Sequence, residues 1–259
     1  MPAELLSTSH GQTMVLTLSN PEYRNALGPE IYAAGVEALN VAESSAEIRS
    51  VVITGAGGMF SAGGNLRRLQ ANREQPEEVQ AQSIEGLHSW IESIRSFPKP
   101  VVAAVEGAAA GAGFSLALAC DFIVAARDAV FAMSYSNIAL SPDGGASWVL
   151  GQQLPRQLAN ELLMCAERIT AERLQQLGLV NQVSNPGGAL DAALALAQTL
   201  NDRAPNALAS IKELLNDAPH QALHHQLAQE RDHFVRNLHH ANAGIGIAAL
   251  LNKHQPKYE

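Results

Sequence analysis

The sequence predicts an α/β fold, a core of parallel strands and helices followed by a helical region. Two observations carry that expectation. Short β-branched runs alternate with helical stretches at a spacing that needs crossover connections between parallel strands. Beyond Thr170 the chain reads mainly as helices separated by turns and prolines.

The elements follow in order. Thr13 to Leu18 (TMVLTL) reads as a strand, and Asn20-Pro21 as a turn. A helix runs from Pro29, which suits a first helical turn, to Ser44. Ser50 to Thr54 is a buried strand, and a glycine-rich loop spans Gly55 to Asn65. A polar helical region then continues to Arg95. Phe97-Pro98-Lys99-Pro100 stops it, because proline excludes helical geometry just before it. Val101 to Val105 is a second buried strand. Gly107 to Gly113 turns into the Ala/Leu-rich helix Phe114 to Cys120, and Asp121–Ala125 and Val130–Met133 are further strands. Thr170 caps a short helix that carries Glu172 in its first turn and ends at Gly178. After the turn Asn185-Pro186-Gly187-Gly188, helices are broken at Pro205 and Pro219. The division expected is a core over 1–195 and a helical region over 196–259.

Composition excludes several function classes. A length of 259 residues fits one large domain or a core with an appendage, and 16% charged residues is too few for a disordered polyampholyte. Seventeen basic against 25 acidic residues give a net charge of −8, which argues against a duplex nucleic-acid binder but not against a small anionic ligand. Cys120 and Cys165 form no CxxC pair and fall in apolar runs, so buried reduced thiols are expected. Met1-Pro2-Ala3-Glu4 shows no basic region leading into an apolar one, so no leader peptide is expected. The most apolar stretch, Val101 to Ala126, is interrupted by Glu106, glycines and Asp121, whereas a membrane span needs roughly 20 apolar residues. The expectation is a soluble cytoplasmic protein.

Three segments carry candidate chemistry. Two are the glycine-rich strand-to-helix turns Gly55–Leu66 and Glu106–Phe114. Small residues let a backbone approach a ligand, and a helix N-terminus offers unpaired N–H groups. Together such turns could hold one oxygen between two donors, an oxyanion hole; the alternative is tight helix–sheet packing alone. The second turn also matches the GxxxGxG of short-chain dehydrogenases. Their Tyr-x-x-x-Lys pair is absent: Leu27, Val36 and Ala139 stand four residues after Tyr23, Tyr32 and Tyr135, and nothing follows Tyr258 at that distance. No GxxxxGK[ST] phosphate loop occurs, and Met59 stands where a GxSxG elbow around Ser61 would need glycine. Seven histidines lie between His220 and His254, but no HExxH is present, so a surface or subunit-facing helix is expected and no metal site. The third segment, Leu140 to Trp148, presents Asp143 in a Pro-Asp-Gly-Gly turn before an apolar run. This is either an ordinary solvated turn or a carboxylate beside an apolar wall, with the raised pKa of a general base.

Taken together the segments resemble the crotonase (enoyl-CoA hydratase/isomerase) superfamily. Asn25-Ala26-Leu27, VVITGAGGMFSAGGNL, KPVVAAVEGAAAGAGFSLALACD, LSPDGGAS, ERITAERLQQLGLVNQV and GIAALLNKHQPKY are similar to its signature segments in order and spacing. The resemblance spans nearly the whole chain. It implies a spiral of repeated β-β-α units with a C-terminal helical trimerisation region, acting on acyl-CoA thioesters without a further cofactor, as a homotrimer or a dimer of trimers. By position, the oxyanion donors would be the N–H groups of Gly64 and Ala112. Ala112 stands where the family usually has glycine, which requires a negative φ there.

The same resemblance places Ala26, Leu27, Ala62, Gly63, Asn65, Leu66, Gly111 and Tyr135 at the acyl-CoA. It also places Arg24 and Lys253 where the family has cations near the nucleotide. Phe114, Met133, Tyr135 and Trp148 are candidates for the acyl pocket, with core packing expected for at least half of them. Two departures bear on the reaction. The hydratase glutamates, one to activate water and one to donate a proton, are replaced by Ser115 and Tyr135. Asp143 remains, where some isomerase and dehalogenase members carry their carboxylate, and one carboxylate suffices for a 1,3-proton shift. The expected enzyme is therefore an enoyl-CoA isomerase, ring-type substrates included. The alternatives are a hydratase using Asp143 alone, a hydrolase or dehalogenase with Asp143 as nucleophile, and a non-catalytic acyl-CoA binder.

Overall fold

Two sheets organise the chain in the computed structural model, which describes residues 3–259. Met1 and Pro2, on which the leader-peptide expectation partly rests, lie outside the described residues. The larger sheet contains β1 (Glu4–His10), β2 (Thr13–Ser19), β3 (Ser50–Gly55), β4 (Val101–Val105), β6 (Phe122–Ala126) and β9 (Gln182–Ser184), in that spatial order. Every pairing from β2 to β9 is parallel, as the strand spacing predicts; β1 pairs antiparallel to β2. The smaller sheet holds β5 (Ala108–Ala110), β7 (Val130–Ala132) and β8 (Ile169–Thr170).

The helices are α1 (Pro29–Ser44), α2 (Leu66–Asn72), α3 (Glu77–Ser96), α4 (Ala112–Ala119), α5 (Ala146–Gln153), α6 (Arg156–Asn160), α7 (Ala171–Gln176), α8 (Ala189–Asn201), α9 (Pro205–Asp217), α10 (Leu223–Leu238) and α11 (Ala241–Leu251). The chain climbs as a crotonase-type spiral of β-β-α units. β4 enters the large sheet, β5 the small one, and α4 returns; β6 and β7 repeat the pattern. An earlier turn is present in outline, with β3 followed by a single parallel bridge from Ser61 to Ala109 and then α2 and α3.

The central strands lack alternation because both faces are covered. On one face Val15, Val52, Val102, Ala104 and Val124 pack against α8, which presents the small residues Ala193 and Ala197 one turn apart. On the other, α1 and α3 close over the main core around Leu16, Ile53, Trp90 and Phe114. Each fully buried aliphatic side chain contributes about 1.5–3 kcal/mol. Gly35 of α1 permits the crossing with α3, since a Cβ there would stand 2.2 Å from the Trp90 ring.

Local differences from the sequence reading have physical causes. β1 is largely solvent-exposed, and β5, β8 and β9 are three residues or fewer, so none shows a hydrophobic period. The polar helical region is two helices, divided where Pro76 precedes α3. α4 begins at Ala112 rather than Phe114, because Gly111 occupies its N-cap with φ +49°. Position 195 falls inside α8, which lies across the sheet. Cys165 is exposed, against its expected burial, and closes a surface turn over Glu161–Cys165; Cys120 packs on the core with its thiol donating to the Leu116 carbonyl at 3.4 Å. Among the described residues no helix is long and apolar enough to cross a membrane.

Candidate active site

The two glycine-rich turns are stitched together by backbone. Ser61 N–H donates to the Ala108 carbonyl at 3.0 Å, and Ala110 N–H to the Ser61 carbonyl at 2.9 Å. Gly63, at φ +88°, lies against the second turn; a Cβ there would stand 2.5 Å from the Ala110 carbonyl oxygen and 3.2 Å from the Ala112 nitrogen. Only glycine allows this approach. The buried Asn25 holds the first loop, donating to the carbonyls of Met59 at 2.6 Å and Ala56 at 2.9 Å, while Ser61 Oγ donates to the Asn25 carbonyl at 2.8 Å. Leu27 N–H donates to the Gly63 carbonyl at 2.8 Å. The Asn-Ala-Leu segment is thus the clamp of the loop that carries Gly64.

Gly64 and Ala112 both line a cavity of about 470 Å³. Among the described residues neither N–H has a protein acceptor. Ala112 has negative φ, so the alanine is accommodated without strain. Its N–H also lies in the first turn of α4, where the helix leaves donors unpaired and the dipole favours negative charge.

Asp143 lines the same cavity and is the single carboxylate among its described lining residues. Tyr135 O–H donates to Asp143 Oδ1 at 2.6 Å, and Ser115 Oγ donates to the Asp143 backbone carbonyl at 3.0 Å. The Ser115 and Tyr135 hydroxyls are 3.3 Å apart. The two residues that replace the expected glutamates therefore hold the aspartate in place. Oδ2 receives no hydrogen bond from any described residue. Burial pushes the Asp143 carboxyl above the usual carboxylate range; the Tyr135 hydrogen bond and the charge of nearby His88 oppose that rise. Burial, and then the Asp143 charge, push the Tyr135 hydroxyl upward, so it stays a donor.

The remaining residues singled out by sequence divide clearly. Leu27, Ala62, Asn65, Leu66 and Gly111 line the cavity with Gly64, Ala112, Tyr135 and Asp143. Asn65 caps α2, its Oδ1 accepting from Arg67 N–H at 3.0 Å and Arg68 N–H at 3.2 Å. Ala26 and Gly63 stand behind the lining. Arg24 is exposed at φ +51°, with its carbonyl accepting from Ala62 N–H at 3.0 Å. Lys253, just past α11, does not line the cavity in one copy of the chain. Phe114 and Met133, candidates for the acyl pocket, do not line this cavity: both are core residues, Phe114 packing on Phe131 with ring centroids 4.9 Å apart. Trp148 lines a different cleft. Sequence reasoning missed Tyr32 of α1, Arg68 of α2, and Leu87 and His88 of α3, all on the cavity wall. The apolar period Ile84, Leu87, Ile91, Ile94 marks which side of α3 faces inward, and His88 adjoins that side.

Comparison with known proteins places the chain in a family. The family model described as enoyl-CoA hydratase/isomerase matches residues 9–259. The 1,2-epoxyphenylacetyl-CoA isomerase of Escherichia coli K12 is 34% identical over 255 residues, covering 98% of this chain and 97% of its own. The 2,3-dehydroadipyl-CoA hydratase of the same organism is 33% identical over 258 residues, covering 99% of each. A crystal structure described as an enoyl-CoA hydratase from Polaromonas sp. JS666 superposes with a TM-score of 0.98 at 70% identity, covering 98% of this chain and 99% of that one. With two unpaired backbone donors and a half-buried carboxylate on one cavity, and a family match over almost its full length, this chain belongs to the enoyl-CoA hydratase/isomerase family of acyl-CoA enzymes.

Proposed function

We propose that this enzyme shifts a carbon–carbon double bond of an acyl-CoA, converting a 3-enoyl to a 2-enoyl thioester. The observation that carries the reading is the single carboxylate: Asp143 alone among the described lining residues can act as a carboxylate base, with Oδ1 held by Tyr135 and Oδ2 unengaged. The thioester oxygen sits between the N–H groups of Gly64 and Ala112. Asp143 removes a proton from the carbon next to the carbonyl, and the C–H electrons form the enolate whose oxygen charge those donors stabilise. One such donor is typically worth about 3 kcal/mol in the transition state. The protonated Asp143 then returns the proton to the carbon two positions further along, and the double bond moves into conjugation. One group serves both steps in turn.

The isomerase among the relatives extends the reading to ring-type acyl groups. Hydration by Asp143 alone is the second reading, favoured by the hydratase description of the 70% identical structure. Isomerisation of a 3-enoyl-CoA that is lost in Asp143→Asn supports the first reading; full turnover by that variant rejects Asp143 as base. Arg24 and Lys253 belong to the proposal as cations for the nucleotide, Lys253 from a neighbouring copy in a homotrimer or dimer of trimers. Separate Arg24→Ala and Lys253→Ala variants that left the KM for acyl-CoA unchanged would remove them from it.

A further inference from the structure

We infer that a second cavity, adjoining the first, receives the far end of the acyl group and is built for one that terminates in a carboxylate. This extends the acyl-CoA reading and rests on it. The second cavity, about 510 Å³, lies on the other side of the turn that carries Asp143. His88 lines both cavities; Asp143 lines the first, and its neighbours Gly144 and Gly145 line the second. The two cavities therefore meet at the His88 imidazole and the Asp143–Gly145 turn, with Ser115 and Leu87 packed against Gly144. Nothing stands within 4 Å of where a Gly145 Cβ would be, so the turn leaves room on that side.

The walls suit a chain of methylenes ending in an anion. Ile91, Val149 and Trp148 supply apolar surface, and Arg95 supplies the cation. Its guanidinium carbon lies 4.7 Å from the Trp148 ring centroid, and Nη2 donates to Asn216 Oδ1 at 2.9 Å. The charge balance singles Arg95 out. Arg68, the cation of the first cavity, is already paired with Glu30 at 3.1 Å, and Lys212 is paired with Asp121 at 2.7 Å. Arg95, half-buried, has no carboxylate within 4.0 Å among the described residues; Asp121, itself paired with Lys212, acts on it from a longer distance, and Glu92, also lining, is exposed. A planar guanidinium prefers a planar carboxylate, which it can engage through two N–H groups.

The test uses saturated thioesters, which undergo neither isomerisation nor hydration. Kd values for hexanoyl-CoA and for adipyl-CoA, which differ only at the far end, are measured by calorimetry on the intact protein. The expected result is about tenfold tighter binding of adipyl-CoA, the scale of one charge-assisted contact. That preference is expected to vanish in Arg95→Met and to persist in Arg95→Lys. Ser96→Asp, at an exposed lining position, is expected to erase it as well, which covers the case of an Arg95→Met protein that does not fold. Equal binding of the two thioesters by the unmodified protein, or a preference that survives both Arg95→Met and Ser96→Asp, overturns the inference while leaving the acyl-CoA reading intact. Failure to bind either thioester overturns both.

Discussion

Burial raises the pKa of Asp143, so at neutral pH the folded protein holds a carboxylate that the unfolded chain would ionise more readily. The sign follows directly. Below the ordinary carboxylate pKa of about 4 both states are protonated and no cost arises; above the folded pKa the half-buried charge is a net liability. Asp143→Asn keeps an acceptor for Tyr135 and removes the charge. Its melting temperature is expected to rise at pH 7 and to match the unmodified protein near pH 3, while isomerisation falls by about 10²–10⁴-fold. Tyr135→Phe acts differently. Its hydroxyl favours the ionised aspartate, so losing it raises the Asp143 pKa further, against the remaining charge of His88. Turnover needs the ionised form, and the acid limb of the kcat/KM profile is expected to move to higher pH. A limb that stays in place while the rate falls at every pH would reduce Tyr135 to packing. At this scale Gly64, Ala112 and Asp143 were legible because each sits in a local motif. Tyr32, Arg68 and His88 were not, since the periodicity of α1 to α3 shows which side is apolar but not which cavity it faces.

Among the elements, the seam between the two glycine turns does most to shape the site. Gly63 combines φ +88° with a backbone 2.5 Å from where its Cβ would stand, so Gly63→Ala must open that seam. Expected are a lower melting temperature and a loss of turnover that exceeds any loss of acyl-CoA binding, because the donors separate before the pocket disappears. Unchanged kinetics would show that the seam does not set donor geometry. The helix Pro29–Ser44 and the Thr170 cap, whose Oγ1 accepts from Arg173 N–H at 3.2 Å, follow from local chemistry and were readable in the sequence. Short strands such as β5 and β9 were not readable, because their partners β7 and β6 make them strands and are distant in the chain.

At the level of the whole molecule, α9 to α11 carry apolar residues that one copy of the chain leaves uncovered: Leu215 and Phe234 are each 69% exposed, and Leu250 80%. So much exposed apolar surface is characteristic of an interface. A mass measurement in solution is expected to give three or six copies, and Phe234→Asp to lower that number; a monomer would contradict the homotrimer. A surface or subunit-facing helix was legible in the histidine-rich segment, but not which apolar residues stay uncovered, which depends on how α9 and α10 pack on each other. Net charge also reads differently at this scale. The value of −8 argues against a duplex partner, yet cations remain at the cavities in Arg68 and Arg95.

One carboxylate, held by Tyr135 and Ser115 where the hydratase pattern expects glutamates, is expected to move a proton along the acyl chain. The most direct test compares two rates on one preparation: isomerisation of a 3-enoyl-CoA and hydration of the corresponding 2-enoyl-CoA. Isomerisation is expected to dominate and to be lost in Asp143→Asn. Dominant hydration would contradict the account.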